Sequence, residues 1–297
     1  MRKKYAVGAM AVIAMIVLIF DTQTALQGAQ DGILLCIQTV IPSLFPFFFL
    51  SGIINRTFLG YSGKVLRPLG RLCAIPAGAE SLLLLGWTGG YPVGAQAIAT
   101  AYEQGSISKR DAERMLGFCS NAGPAFIFGM AGSVFSQKAA PWALWAVLIL
   151  SSLLTGMILP NKTYGLCKLA QPQRKKPLEQ ALKAMASVCG WVVLFRVLIT
   201  FMQRWILWIL HGEYSVMIVG ALELTNGVVA IHNLENPVFQ FISLAALLSF
   251  GGICVGLQTV SVTGKLSCKT YFAGKLLQTV LSIIISILMT LFLFPGK

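Results

Sequence analysis

Along the chain, long apolar runs alternate with short polar or basic stretches. The runs "YAVGAMAVIAMIVLIF", "ILLCIQTVIPSLFPFFFLSGII", "PWALWAVLILSSLLTGMILP" and "SIIISILMTLFLF" approach or reach the roughly 20 residues that span a hydrocarbon core as helix. Other apolar stretches are interrupted. In "LLLLGWTGGYPVGAQAIATAY" two short apolar arms flank Gly86, Gly89, Gly90, Pro92 and Gly94, residues that weaken or break a helix. Each arm is too short to span but long enough to reach mid-membrane, so the pattern predicts a re-entrant hairpin over 81–101. A second is predicted over 214–231. Two further segments, 115–134 and 238–260, read as broken spans, with the breaks in "FCSNAGPAFIFG" and "LLSFGGICVGLQT".

These elements fall into an order. Residues 1–32 read as an N-terminal membrane anchor with a short external loop, and "MRKK" ahead of the first apolar run also fits a signal peptide. No small-x-small cleavage site follows Phe20, which favours an uncleaved anchor. Residues 33–160 and 184–297 read as two similar halves joined by a cytoplasmic linker, 161–183. Each half has a span (33–54; 185–210), a hairpin, a broken span and a final span (141–160; 271–294). Three crossings per half place the halves in opposite orientation. The predicted fold is therefore an all-α polytopic membrane protein with an anchor and two inverted-topology repeats, a construction used by secondary transporters.

Composition agrees: 56% of residues are hydrophobic, 11% are charged, and the mean hydropathy is +0.77. The net charge of +13 has no soluble basic domain to hold it, so it points to membrane topology and not to nucleic acid. If every apolar segment crossed fully, Lys and Arg would divide 12 inside to 10 outside, leaving out Arg196 within a span. With the two hairpins re-entrant, the division is 19 to 3. The hairpin topology, with the N-terminus cytoplasmic and the C-terminus outside, satisfies the positive-inside rule. Lys64, Arg67 and Arg71 alternate with Val65, Leu66, Leu69 and Leu72 at helical spacing, as in an amphipathic helix on the cytoplasmic surface.

Candidate chemistry lies at the interruptions. Four breaks at similar depth would converge near the midplane, bringing Thr88, Gly90, Tyr91, Pro92, Gln96, Ser120, Asn121, Gly123, Pro124, Glu223, Thr225, Asn226, Gly252 and Gln258 into one substrate-binding region. Broken helices expose N–H groups with partial positive charge, and Pro124 suits the first turn of a new half-helix. The alternative is that the glycines serve close helix packing. Glu223 is the one carboxylate deep in an apolar segment; it reads either as a coupling group for a proton or cation or as the ion-pair partner of Arg196. The seven cysteines lack metal-ligand spacing, His211 and His232 stand alone, and the hydrolase, P-loop and metalloprotease motifs are absent from the sequence. No catalytic residue, metal or cofactor is assigned.

The stretches "PSLFPF" (42–47), "GGYPVGAQ" (89–96) with "YEQGSISKRDAERML", "FCSNAGPAFIFGMAG" (118–132) and "GALELTNG" (220–227) resemble the YlbJ-type (SpoVV) sporulation integral membrane proteins. The wider group shares the Gate, or nucleoside-recognition, domain, itself similar to a repeat of concentrative nucleoside transporters. The resemblance implies movement of dipicolinic acid from mother cell toward spore, with Gly90, Tyr91, Pro92, Asn121, Gly123, Pro124, Glu223 and Asn226 along the path. This chain is compact, with a short central linker. The expected partners are a small anionic substrate, the lipid bilayer and a coupling proton or cation; nucleic acid is not among them, and a homo-oligomer stays open. The location implied is a bacterial cell membrane, with the outer forespore membrane as the sporulation-specific form. A nucleoside or inorganic-ion transporter, and a non-transporting membrane assembly protein, are the competing readings.

The topology makes a direct prediction. Cysteines introduced singly at Ser108 and Gln173 share the cytoplasmic side, so both should resist an impermeant thiol reagent in intact cells. Labelling of one without the other contradicts the re-entrant arrangement.

Overall fold

A computed structural model describes residues 2–58, 65–159, 176–206, 209 and 212–294; all regular structure there is helical. The order is α1 (Arg2–Phe20), α2 (Thr22–Leu35), a π-helical turn (Cys36–Val40), α3 (Ile41–Phe58), α4 (Arg67–Leu72), α5 (Glu80–Thr88), α6 (Val93–Glu103), α7 (Lys109–Leu116), α8 (Pro124–Gly129), a 3₁₀ turn (Ala131–Val134) and α9 (Ala140–Ile158). Then come α10 (Pro177–Trp205), α11 (Gly212–Leu222), α12 (Leu224–His232), α13 (Pro237–Phe250), α14 (Gly252–Thr263) and α15 (Lys269–Leu293).

Among the described residues, five helical segments are long and apolar enough to cross a membrane: Thr22–Ile54, Ala140–Ile158, Pro177–Trp205, Pro237–Thr263 and Lys269–Leu293. The chain is a polytopic membrane protein. Both expected hairpins are present as packed helix pairs, α5 with α6 and α11 with α12. The first turns at Gly89–Pro92, where Gly90 takes φ +76°, a region that favours glycine. The second turns on the single extended residue Glu223. The break in 238–260 falls at Gly251 and Gly252, at φ +82° and +79°.

Three expectations need correction. Residues 22–32, expected as an external loop, are helix α2. Their polar side chains deceive in the sequence because they are matched across the interface: Arg204 meets Asp21 and Thr24, and Arg196 meets Asp31. The segment 115–134 is not two half-helices. Its first part belongs to the amphipathic α7, its centre from Gly117 to Gly123 lies outside any helix, and only α8 and the 3₁₀ turn follow. The surface helix near 64–72 is described only from Val65, and its Arg67 turns inward to the buried Glu80 at 2.7 Å. Pro177 at the first turn starts α10 within the expected linker, whose residues 161–175 lie outside the described ones, as does His211.

The core is built on helix pairs. The long α10 packs on α2 and α3, while α15 packs on α9 and α13. Without a hydrophobic drive between helices in lipid, close approach depends on small residues. Gly28 and Gly32 of α2 are such points: a Cβ there would sit 2.8 Å from Cα of Val197 and 2.9 Å from Cα of Val193, respectively. Gly32→Leu should therefore destabilise the protein by about 1–3 kcal/mol, whereas Gly190→Ala on the open side of α10, with nothing within 4 Å, should be neutral. Thermal unfolding in detergent measures this, and equal midpoints for the two variants would contradict the packing.

Candidate functional site

The interruptions meet. A cavity of about 40 Å³ is lined by Gly90 and Tyr91 from the first hairpin, Ala122 and Gly123 from the non-helical segment, Glu223 and Thr225 from the second hairpin, and Val255 and Gln258 from α14. Side chains of α10 and of the π-turn region, among them Val188, Val192 and Val40, close it. Of the residues singled out in the sequence, Gly90, Tyr91, Gly123, Glu223, Thr225 and Gln258 line this space. Asn226 sits one hydrogen bond behind it, through Glu223, and Asn121 two, through Lys275 and Tyr91, as set out below.

Each broken backbone is held by its neighbours. A Cβ on Gly86 or Gly94 would collide with the Cys119 carbonyl, so the glycines of the first hairpin admit the non-helical segment between its arms. The Phe118 carbonyl, freed by that segment, accepts from Asn121 Nδ2 at 2.8 Å and Ser152 Oγ at 2.9 Å. Gly123 caps α8 with Pro124 at its first turn, as the sequence predicts. A Cβ on Gly123 would lie 2.8 Å from the Gly90 nitrogen. Gly252 opens α14 against the last carbonyls of α11, those of Gly220, Ala221 and Leu222, so one helix end faces another of opposite partial charge. The remaining assigned residues do not line the cavity. Thr88 bonds back to the Leu84 carbonyl, Pro92 caps α6, Gln96 is half-buried on α6, and Ser120 is buried with no hydrogen-bond partner.

Glu223 is the N-cap of α12. Its carboxylate accepts from the Thr225 N–H at 3.0 Å and from both the N–H and Nδ2 of Asn226 at 2.7 Å. A carboxylate is well placed at this positive helix end. It does not pair with Arg196 directly. Arg196 donates to Asn226 Oδ1 and to Asp31 Oδ2, both at 3.0 Å, so Asn226 joins the capping carboxylate to an Asp31–Arg196 ion pair. The sequence conceals this because Asp31 lies 165 positions away in a segment that reads as loop.

The largest omission of the sequence reading is Lys275. Assigned no role from the sequence, it is 1% exposed inside α15. Its Nζ donates to Gln278 Oε1 at 2.8 Å, Tyr91 Oη at 3.0 Å and Asn121 Oδ1 at 3.1 Å. Gln278 Nε2 also reaches Asn121 Oδ1, at 2.8 Å. Tyr91 in turn donates toward the Leu248 and Ser249 carbonyls at the broken end of α13. A signal existed: Lys275, Gln278, Ser282, Ser286 and Thr290 recur every three or four residues and are the buried face of α15. In lipid the polar stripe, not the apolar one, faces the core.

Comparison with known proteins adds one relative. The chain is 30% identical over 159 residues to the sporulation integral membrane protein YlbJ of Bacillus subtilis (strain 168), covering 52% of this chain and 38% of that protein. That likeness supports a YlbJ-type family assignment. The matched region spans well under half of the relative's length. No family model matches the chain, and no solved structure does. A polytopic membrane protein with broken helices around a central cavity, similar over about half its length to YlbJ, is the frame for function.

The cap geometry yields a prediction. Glu223→Ala leaves the Thr225 and Asn226 N–H groups without their acceptor and should cost about 1–2 kcal/mol, with Glu223→Gln costing less because its amide oxygen still accepts. Chemical unfolding in detergent checks the order. Equal losses for the two variants would mean that the cap is not what Glu223 contributes.

Proposed function

We propose that this chain moves a small organic anion, dipicolinate in the sporulation setting, across a membrane by alternating access at the cavity between its two halves. The observation that carries the reading is the convergence of interruptions from both halves on one cavity in the protein interior. Non-helical backbone is tolerated at membrane depth where it is buried in protein or lines a polar cavity.

The arrangement of contacts supports the inverted repeat on which alternating access rests. Elements that correspond by order meet one another: α3 packs on α10 and α9 on α15. The first hairpin meets the second broken segment through α6 and α14, and the second hairpin meets the first broken segment through α12 and the 3₁₀ turn. Such reciprocal pairing is what a two-fold axis in the membrane plane generates. A space of about 40 Å³ has room for ~3 waters. It is too small for an aromatic dicarboxylate, so the halves part to admit substrate. Dipicolinate follows from the family resemblance; the name of the relative speaks only of sporulation and the membrane.

Terbium fluorescence in proteoliposomes tests the function, since terbium trapped inside reports dipicolinate uptake. Wild-type protein should admit dipicolinate. Gly123→Leu should reduce flux at least about tenfold, because the new side chain separates the hairpin turn from the non-helical segment that together form the cavity wall. Gly190→Ala should transport normally. Impermeable wild-type liposomes, together with normal dipicolinate content in spores lacking the gene, would overturn the assignment.

A further inference from the structure

Lys275 sets an electrostatic problem. Its three N–H donors meet three acceptors, the arrangement of an ammonium ion, yet all three acceptors are neutral. The Tyr91 ring also lies against it, with Nζ 5.1 Å from the centroid, a cation–π contact. Among the described residues no carboxylate comes within ion-pairing distance; the five ion pairs lie elsewhere. A charged amine in a membrane interior is expensive, and such residues mark substrate pathways. Dipoles and a ring soften the cost without cancelling the charge.

The surroundings point to what would cancel it. Tyr91, the shared acceptor and ring partner, is a wall of the central cavity, as are Ala122 and Gly123 beside Asn121. Two fully buried hydroxyls with no hydrogen-bond partner adjoin the same hub, on Ser120 next to Asn121 and on Ser249, whose carbonyl receives Tyr91. The other charges nearby are already spent. Glu223 is turned onto the first turn of α12, and Arg196 is paired with Asp31.

We propose that Lys275 is the anion-recognising residue of this cavity, pairing with a substrate carboxylate that takes over acceptor positions now filled by Tyr91 and Asn121. The proposal rests on the transport reading for its cavity and adds the residue and the charge it selects. Lys275 in the second half is held by Tyr91 and Asn121 of the first, so exchanging those acceptors for a carboxylate also loosens a link between the halves. A ligand that makes different contacts in two states is what shifts their balance.

The probes are dipicolinate and its uncharged isostere pyridine-2,6-dicarboxamide, added to purified protein during thermal unfolding in detergent. Dipicolinate should raise the wild-type midpoint, and the diamide should not. Lys275→Met and Lys275→Gln should unfold at or above the wild-type temperature without ligand, because an uncompensated charge is gone. They should also lose dipicolinate affinity by at least about tenfold. A wild-type protein that no dipicolinate stabilises, one that both probes stabilise equally, or variants that respond as wild type does, would each overturn the proposal. So would failure of both variants to fold, which assigns Lys275 a structural role. Proteoliposome flux separates the two claims. Equal flux through wild type and Lys275→Met removes the lysine and keeps transport, while a Lys275-dependent shift in protein that moves nothing keeps the lysine site and removes transport.

Discussion

A helix that breaks inside a bilayer releases N–H and C=O groups that lipid cannot satisfy. This chain breaks at the Gly89–Pro92 turn, across residues 117–123, at Glu223 and at Gly251–Gly252. Everything specific about its architecture answers that constraint. The broken ends are brought together, so that Ser152 and Asn121 serve the Phe118 carbonyl, Tyr91 serves the end of α13, Glu223 serves the start of α12, and the last carbonyls of α11 face the start of α14. Glycines make this meeting sterically feasible, since Gly86, Gly94 and Gly123 each face backbone where a Cβ would not fit.

The same constraint ties fold to function. The broken ends and the groups that cap them gather inside an apolar protein, and the small cavity lies there, with Glu223, Thr225 and Gln258 set among aliphatic side chains. On the flank, α2 and α10 carry a separate ionic layer in which Arg196 and Arg204 are matched by Asp31 and Asp21. Asn226 joins that layer to Glu223 at the cavity wall. Among the described residues, charge in the interior is otherwise paired or capped, except that Arg114 is held by the carbonyls of Cys73, Ala74 and Gly156, and Lys275, facing the central hub, is held by neutral groups as well.

Much of this was legible in the sequence because it rests on local chemistry. Glycine and proline clusters mark turns at whatever depth they fall, so both hairpins, the start of α8 at Pro124 and the break near Gly251 lie where the pattern puts them. What rests on contacts between distant segments was hidden. Asp31 reads as a loop residue until Arg196 is seen across from it. Lys275 reads as a boundary charge because it stands six positions after Lys269, in a stretch where positive residues are normally cytoplasmic. Only the recurring polar positions of α15 reveal that its charged face turns inward. Gly123, expected along the substrate path, lines the cavity and also abuts the Gly90 backbone, a contact between distant segments that the sequence does not display.

The central claim is that the converging breaks form a chamber opened in turn to each side of the membrane. A single cysteine at Val255, on the cavity wall and 4% exposed, in a background freed of native cysteines, reports this through an impermeant thiol reagent applied to right-side-out and inside-out vesicles. Alternating access predicts modification from both sides, slowed by dipicolinate. Absence of modification from either side would contradict it and reduce the breaks to packing devices.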